Sequence, residues 1–301
     1  MGIAATVGVF DGVHIGHKYL LEQLRMIAKL KAEQTLAITF RQHPAAIFAP
    51  YAKPRLLCTL DRKVNLLKQY VDDVYVLDFN AEIASLTARQ FALQILKKRL
   101  GVTTLMMGYD HSFGSDKIKD IQLYKQICAD VGIDVHFCAE CKPNEQDTIE
   151  SCSSSRIRQL IETNNFVHAS QLLGYDYYFE GLVTHGYHIG TKMGFPTANI
   201  VVKDDLLYPS QGVYAVKAQT ADGTLYPAMM NIGMRPTFHQ KHAQQSIEVH
   251  LFDYSDEHDL YNTILKIYPV WYLRNEMEFK SPEALREQLI KDKATVLNIL
   301  R

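Results

Sequence analysis

The sequence has no apolar stretch approaching the about 18–20 residues that a bilayer-spanning helix requires. It also lacks a basic segment followed by an apolar one near its start. Both absences point away from a membrane span and from secretion. Excess charge of either sign is missing too: 32 Lys+Arg face 33 Asp+Glu, a formal net charge of -1. Nothing in that balance predicts a nucleic acid or an anionic membrane as partner. Cysteine is scarce and odd in number, with five residues, which argues for reduced thiols and a cytoplasmic location. Cys138 and Cys141, with His136 nearby, form one ligand pair where a structural zinc site wants four ligands. They read instead as small apolar residues on or beside a strand. The start Met1-Gly2 fits a loose myristoylation pattern, but Ala4–Phe10 reads better as a buried first strand.

What is present is ordinary for a globular protein: 301 residues, 47% apolar and 22% charged, enough for about two domains. A homo-oligomer is left open by the composition.

The first half alternates. Strand-like runs fall at Ala4–Phe10, Thr35–Phe40, Asp73–Leu77, Thr104–Met107 and Asp134–Cys138. Helical spacing falls at His17–Glu33, Arg62–Tyr70, Thr87–Leu100 and Asp120–Val131. Such alternation predicts a parallel sheet with helices on both faces. Ligands of such sheets bind at the carboxyl ends of the strands, so the loops Asp11–His17, Arg41–Pro44 and Gly108–Gly114 draw attention. Ser153–Leu173 reads as helical. After Gly174 the pattern changes to β-rich runs at Phe179–Val183, Gly212–Ala218, Leu225–Asn231, Ser246–Phe252 and Leu265–Trp271. These suggest an antiparallel barrel or sandwich, closed by a helix over Pro282–Leu300. The domain boundary is placed near Gly174, giving domains 1–173 and 174–301.

The first constellation is Gly8-Val9-Phe10-Asp11-Gly12-Val13-His14-Ile15-Gly16-His17. Asp11-Gly12 ends a strand and His14-Ile15-Gly16-His17 opens a helix, so both histidines share its first turn. Free N–H groups and the positive dipole end there favour phosphate. Glycines at 12 and 16 let backbone approach an anion. Two imidazole donors can stabilise charge developing on an α-phosphate without a covalent nucleophile. Downstream, Ser153, Ser154 and Ser155 precede Arg156 and Arg158 at a predicted helix start. That pattern suits either an N-cap with a solvated face or a pyrophosphate grip.

These segments resemble the HxGH nucleotidyltransferase superfamily, whose fold is Rossmann-like. Thr39-Phe40-Arg41-Gln42-His43-Pro44 and Gly108-Tyr109-Asp110-His111-Ser112-Phe113-Gly114 narrow the resemblance. In this order the four segments look like the FMN adenylyltransferase module of bacterial bifunctional riboflavin kinase/FAD synthetases. The resemblance implies that Gly8, Phe10, Asp11, Gly12, His14, Gly16, His17, Ser153, Ser154, Ser155, Arg156 and Arg158 bind ATP. It also implies that His43, Pro44, Asp110 and Phe113 enclose the flavin.

The second constellation runs from Gly181 to Ile200. Gly186-x-x-x-Gly190-Thr191-Lys192 superficially resembles a P-loop, but its spacing is short and its Thr and Lys are reversed. A glycine-lined loop can still cradle phosphates through backbone N–H groups. Thr197 and Asn199 alternate along an extended segment and share a face. Their two neutral oxygens suit a Mg²⁺ that keeps waters and binds mainly through ATP phosphates. Glu248 and His250 share a face of another strand, and Glu248 near a nucleotide loop can take a proton from a hydroxyl. Arg274 is either a surface charge or a cap on a planar ligand.

These features look like the flavokinase domain of the same family. The match runs through Pro196-Thr197-Ala198-Asn199, Asn231-Ile232-Gly233-Met234-Arg235-Pro236-Thr237-Phe238, Glu248 and Arg274 to the final helix. It implies a six-stranded antiparallel barrel. It further implies that Gly186, Gly190, Lys192, Gly194, Pro196, Thr197 and Asn199 hold Mg–ATP, with Thr197 and Asn199 on the metal. Asn231 and Arg274 then bind flavin, and Glu248 is the base for the riboflavin 5′-hydroxyl. The expected substrates are riboflavin, FMN and ATP, and the product FAD.

The chain departs from the family pattern at several positions. Ile189 and Thr191 stand where basic residues are common, Ser155 where Thr is usual, and His111 where Phe is frequent. Asn262 stands where Gly is usual, and asparagine tolerates the left-handed turn that a glycine would serve. The first strand begins almost at residue 1, where many relatives carry a short lead, so one wall of the flavin pocket is expected to be reduced.

Overall fold

The computed structural model describes residues 2–48, 51, 54–108, 112–139, 152–185, 194–203, 205–235, 244–254 and 260–301. The chain divides into two compact units, Met1–Ser154 and Ser155–Arg301.

The first unit is built on five parallel strands: β1 (Ile3–Val7), β2 (Gln34–Phe40), β3 (Asp73–Leu77), β4 (Val102–Met107) and β5 (Asp134–Phe137). Their order is β3-β2-β1-β4-β5. The chain therefore runs outward from β1 on one side, then returns to its other side with β4. Such a reversal opens a crevice at the carboxyl end of β1.

Side chains alternate across each strand, and the core divides accordingly. Ala5, Val7, Ile38 and Leu105 face a cluster closed by Phe91, Leu96 and Tyr124. Ala4, Ala37 and Met106 face another, closed by Leu21, Leu24 and Ala28 of the helix Ile15–Lys31 and by Leu67 of the helix Leu60–Leu67. Both faces are thus covered by helices, as the alternation predicts. Cys138 is buried in the second cluster, and Cys141 lies outside the described residues.

Boundaries differ where local chemistry decides them. The first strand stops at Val7, not Phe10, because Phe10 turns left-handed at φ 51°. The helix expected from Arg62 begins two residues earlier, since the Thr59 hydroxyl caps it by accepting the Arg62 N–H. Two short helices, Ala45–Phe48 and Ala81–Ser85, give too few residues for a periodic signal.

Two helices, Ser154–Glu162 and Phe166–Leu173, share the stretch read as one, and all but Ser154 of them belongs to the second unit. The packing division thus falls ahead of the compositional change at Gly174. Six antiparallel strands then close a barrel: β6 (Phe179–Thr184), β7 (Ala198–Val202), β8 (Gly212–Gln219), β9 (Leu225–Arg235), β10 (Gln244–Leu251) and β11 (Ile264–Arg274). The order is β10-β7-β6-β11-β8-β9, with β9 paired back to β10. Five of the six are the β-rich runs; β7 is the extended segment that carries Asn199. Closure removes every free sheet edge. Pro269 sits in β11 where the register shifts, a position that tolerates a residue without an N–H. Asn262 adopts φ 59° in the turn before β11, as expected of an asparagine replacing glycine there. The helix Pro282–Ile299 packs Val296 against Val213, Ala215 and Met229 on the outside of the barrel.

Candidate active sites

In the first unit, the loop after β1 is bent by Phe10, Gly12 and Val13, with φ of 51°, 76° and 40°. Glycine accepts this region freely; a β-branched valine is strained there. Surrounding contacts hold the strain. Phe10 and Val13 are buried. The Asp11 carboxylate accepts the Leu57 N–H at 2.9 and 3.1 Å. Ser154 Oγ donates to the Asp11 carbonyl at 3.0 Å. Ser154 therefore braces the loop itself. A Cβ at Gly8 would lie 2.9 Å from the Phe10 ring, so this glycine makes room for the folded-back aromatic.

His14 is the N-cap of the helix Ile15–Lys31 and makes no side-chain capping bond. The helix start thus keeps N–H donors for an anion. The His14 and His17 rings are stacked, with centroids 3.6 Å apart and an interplanar angle of 20°. Phe10 meets His17 edge-on at 5.2 Å. A Cβ at Gly16 would come within 3.3 Å of the His14 ring. His14 Nδ1 lies 3.4 Å from Cys152 Sγ. His17 Nδ1 is buried with no hydrogen-bond partner among the described residues. Burial, then the neighbouring His14 and Lys63, hold the His17 pKa well below its ordinary 6.5. His17 is thus a neutral imidazole at pH 7, with one N–H to donate.

The other expected residues of this site are distributed as follows. His43 follows β2, and its Nδ1 accepts the Ala45 N–H at 3.1 Å, leaving Nε2 to carry the proton of the neutral ring. The Pro44 carbonyl accepts the Ile47 N–H at 3.0 Å. Phe113 is half-buried against Phe91 and Tyr124, both at 5.1 Å, so much of its ring is committed to the core. Ser153 lies just before the helix Ser154–Glu162 and is half-buried. Ser155, Arg156 and Arg158 belong to the second unit, where an Arg156 guanidinium N–H donates to Gln159 at 2.8 Å. Asp110 lies outside the described residues.

In the second unit, two cavities meet at one residue. The first, about 480 Å³, is lined by His185, Pro196, Thr197, Leu260 and Tyr261 among others. The second, about 330 Å³, is lined by Thr197, Asn231, Glu248, His250, Arg274 and Leu289 among others. Thr197 belongs to both, and its hydroxyl lies 3.4 Å from Glu248 Oε2. Asn199 sits directly across from Glu248 in the β7–β10 register. This places Thr197, Asn199 and Glu248 together.

The His250 ring nitrogen Nδ1 donates to the Pro196 carbonyl at 2.6 Å, fixing the backbone next to Thr197. Burial is the main cause that pulls the His250 pKa down. Arg274 lines the second cavity, yet its guanidinium is clamped by Asp292 at 2.7–3.2 Å. It is neither a free surface charge nor an uncommitted cap. Asn231 Nδ2 donates to Glu276 at 3.0 Å. Gly194 is left-handed at φ 81°, and among the described residues no atom lies within 4 Å of where its Cβ would stand. Gly186, Gly190 and Lys192 lie outside the described residues.

Lys63, Cys152 and Asp292 are neighbours of these sites that the motif reading passed over. Lys63 alone carried a signal: it lies four residues before Leu67, on the buried face of its helix.

A strand–helix joint presenting two histidines at a sheet's reversal point, and a closed barrel with a threonine shared by two cavities and a carboxylate beside it, define a two-module transferase. Family models described as FAD synthetase and riboflavin kinase match residues 1–154 and 173–300. The chain belongs to the bifunctional riboflavin kinase/FMN adenylyltransferase family. A relative of that name from Bacillus subtilis is 36% identical, covering 96% of this chain and 89% of its own. One from Escherichia coli K12 is 33% identical, covering 98% and 91%. A crystal structure described as a macrolide-efflux protein from Streptococcus pneumoniae has a TM-score of 0.84 at 29% identity, covering 99% of this chain and 94% of its own. Among the described residues no helix is long and apolar enough to cross a membrane.

Proposed function

We propose that the chain converts riboflavin to FMN in its barrel and FMN to FAD in its parallel-sheet unit, with ATP as co-substrate of both steps. The observation that carries the kinase reading is Thr197 at the junction of two cavities, with the Glu248 carboxylate 3.4 Å from its hydroxyl in one of them. One cavity takes ATP and the other the isoalloxazine and ribityl chain. Glu248 takes the proton from the riboflavin 5′-hydroxyl, whose oxygen attacks the γ-phosphate, and ADP leaves. Thr197 and Asn199 offer a hydroxyl and an amide beside a carboxylate, a set of hard oxygen donors that suits Mg²⁺ held largely by ATP. When bound, the ion neutralises phosphate charge.

In the first unit, an FMN phosphate oxygen attacks the α-phosphate of ATP and pyrophosphate leaves. His14 and His17 donate hydrogen bonds to the charge that develops, alongside the helix N–H groups. Ser154 supports the same loop through Asp11. His43 and Pro44 stand at the carboxyl edge of β2, where the flavin end is placed. Arg156 and Arg158 are assigned to pyrophosphate, and Asp110 and Phe113 to the flavin. Functional modules of residues 1–173 and 174–301, and a cytoplasmic location, complete the reading.

Incubation with riboflavin, ATP and Mg²⁺, followed by flavin chromatography, tests both steps. FMN and then FAD are expected; absence of both overturns the reading.

A further inference from the structure

Lys63 is a buried lysine that neither reaction step uses. It stands on the inward face of the helix Leu60–Leu67. Its Nζ donates to the Val9 carbonyl at 3.1 Å and to the Phe40 carbonyl at 2.9 Å. Val9 lies just beyond β1 and Phe40 ends β2. One cation thus ties together the exits of two adjacent strands, at the edge of the sheet where the nucleotide loop begins. Thr39 adds a smaller tie, its hydroxyl donating to the same Val9 carbonyl at 3.1 Å.

Burying an ammonium costs several kcal/mol unless acceptors surround it. Two backbone carbonyls do so here. A methionine or leucine would fill this position without that cost, so a packing role alone does not account for a lysine.

We propose that Lys63 is a positioning residue for adenylyl transfer, a buried cation that locks the exits of β1 and β2 where the nucleotide loop begins. The proposal rests on the adenylyl-transfer reading of this unit. The charged and titratable groups around Lys63 and His17 are few. His14 stacks on His17 from the same helix start, and the Lys63 charge acts on it from the helix Leu60–Leu67. Asp11, Cys58 and Arg62 surround Lys63 and the loop. Of these, Lys63 and a protonated His14 both oppose a charge on His17. Burial and His14 lower the His17 pKa more than Lys63 does, so the main contribution of Lys63 is the tie to Val9 and Phe40 that fixes the start of the loop.

The test uses the full-length protein and the variants K63M and K63R. Two readouts are followed: the NMR titration midpoint of the His17 ring, and the pH profile of FAD formation from FMN and ATP. Circular dichroism and denaturant unfolding of each variant check that the first unit is folded, and riboflavin phosphorylation checks the barrel alone. K63M is expected to raise the His17 midpoint, in the direction that loss of a neighbouring positive charge requires. The acid limb of the FAD-forming rate should move the same way. Its kcat should fall about tenfold or more, with the KM for FMN changing less. K63R keeps the charge, and is expected to restore the low midpoint and much of the rate.

An unchanged kcat for FAD formation in a folded K63M overturns the proposal, as does a K63R variant indistinguishable from K63M. Should K63M fail to fold, the same readouts on K63Q decide the matter. If the wild-type protein forms no FAD from FMN, the adenylyl-transfer reading fails. The His17 midpoint still reports separately on the coupling to Lys63.

Discussion

The Thr197 hydroxyl lies 3.4 Å from the Glu248 carboxylate, and both side chains face the same 330 Å³ cavity. Thr197 also faces the 480 Å³ cavity on its other side. A substrate hydroxyl reaching from one cavity toward a phosphate in the other must pass this pair. Glu248→Gln keeps the shape and removes the base. Riboflavin phosphorylation is expected to fall by about 10²–10⁴ in kcat, while FAD formation from supplied FMN is unchanged. Equal loss of both activities in a folded variant would falsify the two-site assignment.

Thr197 itself is tested by a matched pair of substitutions. Thr197→Ser retains the hydroxyl and should keep most riboflavin kinase activity. Thr197→Val retains the shape but removes the oxygen that faces Glu248, and should raise the KM for ATP and lower kcat. Steady-state kinetics at several Mg²⁺ concentrations read this out. If the two variants behave alike, the hydroxyl has no part in the site.

Much of this arrangement was legible in the residues. The strand Asp73–Leu77 was bounded correctly because an apolar run ends in Asp at both sides. Asp11-Gly12 and His14-x-Gly16-His17 marked the strand–helix joint, since few reasons other than an anion bring two glycines and two histidines there. Lys63 was harder to read because a lysine on a helix is usually solvated. Its partners are backbone carbonyls at 9 and 40, which only the folded sheet brings together. Cys152 was silent, since its contact with His14 spans 138 positions of sequence. The carboxylate clamp on Arg274 comes from Asp292, inside a helix whose apolar spacing drew the attention.

His17 makes the first unit sensitive to acid. Its folded pKa is depressed well below 6.5, first by burial and then by His14 and Lys63. The unfolded chain therefore binds a proton at a higher pH than the folded one. The stability that the neutral ring contributes is present above about 6.5 and is lost as pH falls toward the depressed value. Denaturant unfolding at stepped pH should show this decline in the wild type. His17→Gln, which cannot titrate, should flatten it and should also abolish FAD formation. A slope equal to wild type in that variant would mean that other groups govern acid unfolding.

Arg274 and Asp292 join β11 to the terminal helix, and both side chains are largely buried, at 19% and 7% exposure. Gln288 donates a further hydrogen bond to the same carboxylate at 2.9 Å. Removing one partner of such a pair leaves a charge buried without compensation, which costs about 3–5 kcal/mol. Asp292→Leu should therefore lower barrel stability by about 3 kcal/mol, read by denaturant unfolding. The same change loosens Arg274, and with it the cavity wall to which Leu285 and Leu289 of that helix contribute. The KM for riboflavin should rise more than the KM for ATP. Combining Asp292→Leu with Arg274→Met removes both charges together, so much of the stability should return. Affinity for riboflavin should not return, because the guanidinium on the cavity wall is gone. If the double variant is instead as unstable as the sum of its parts, the pair acts through packing and not through charge.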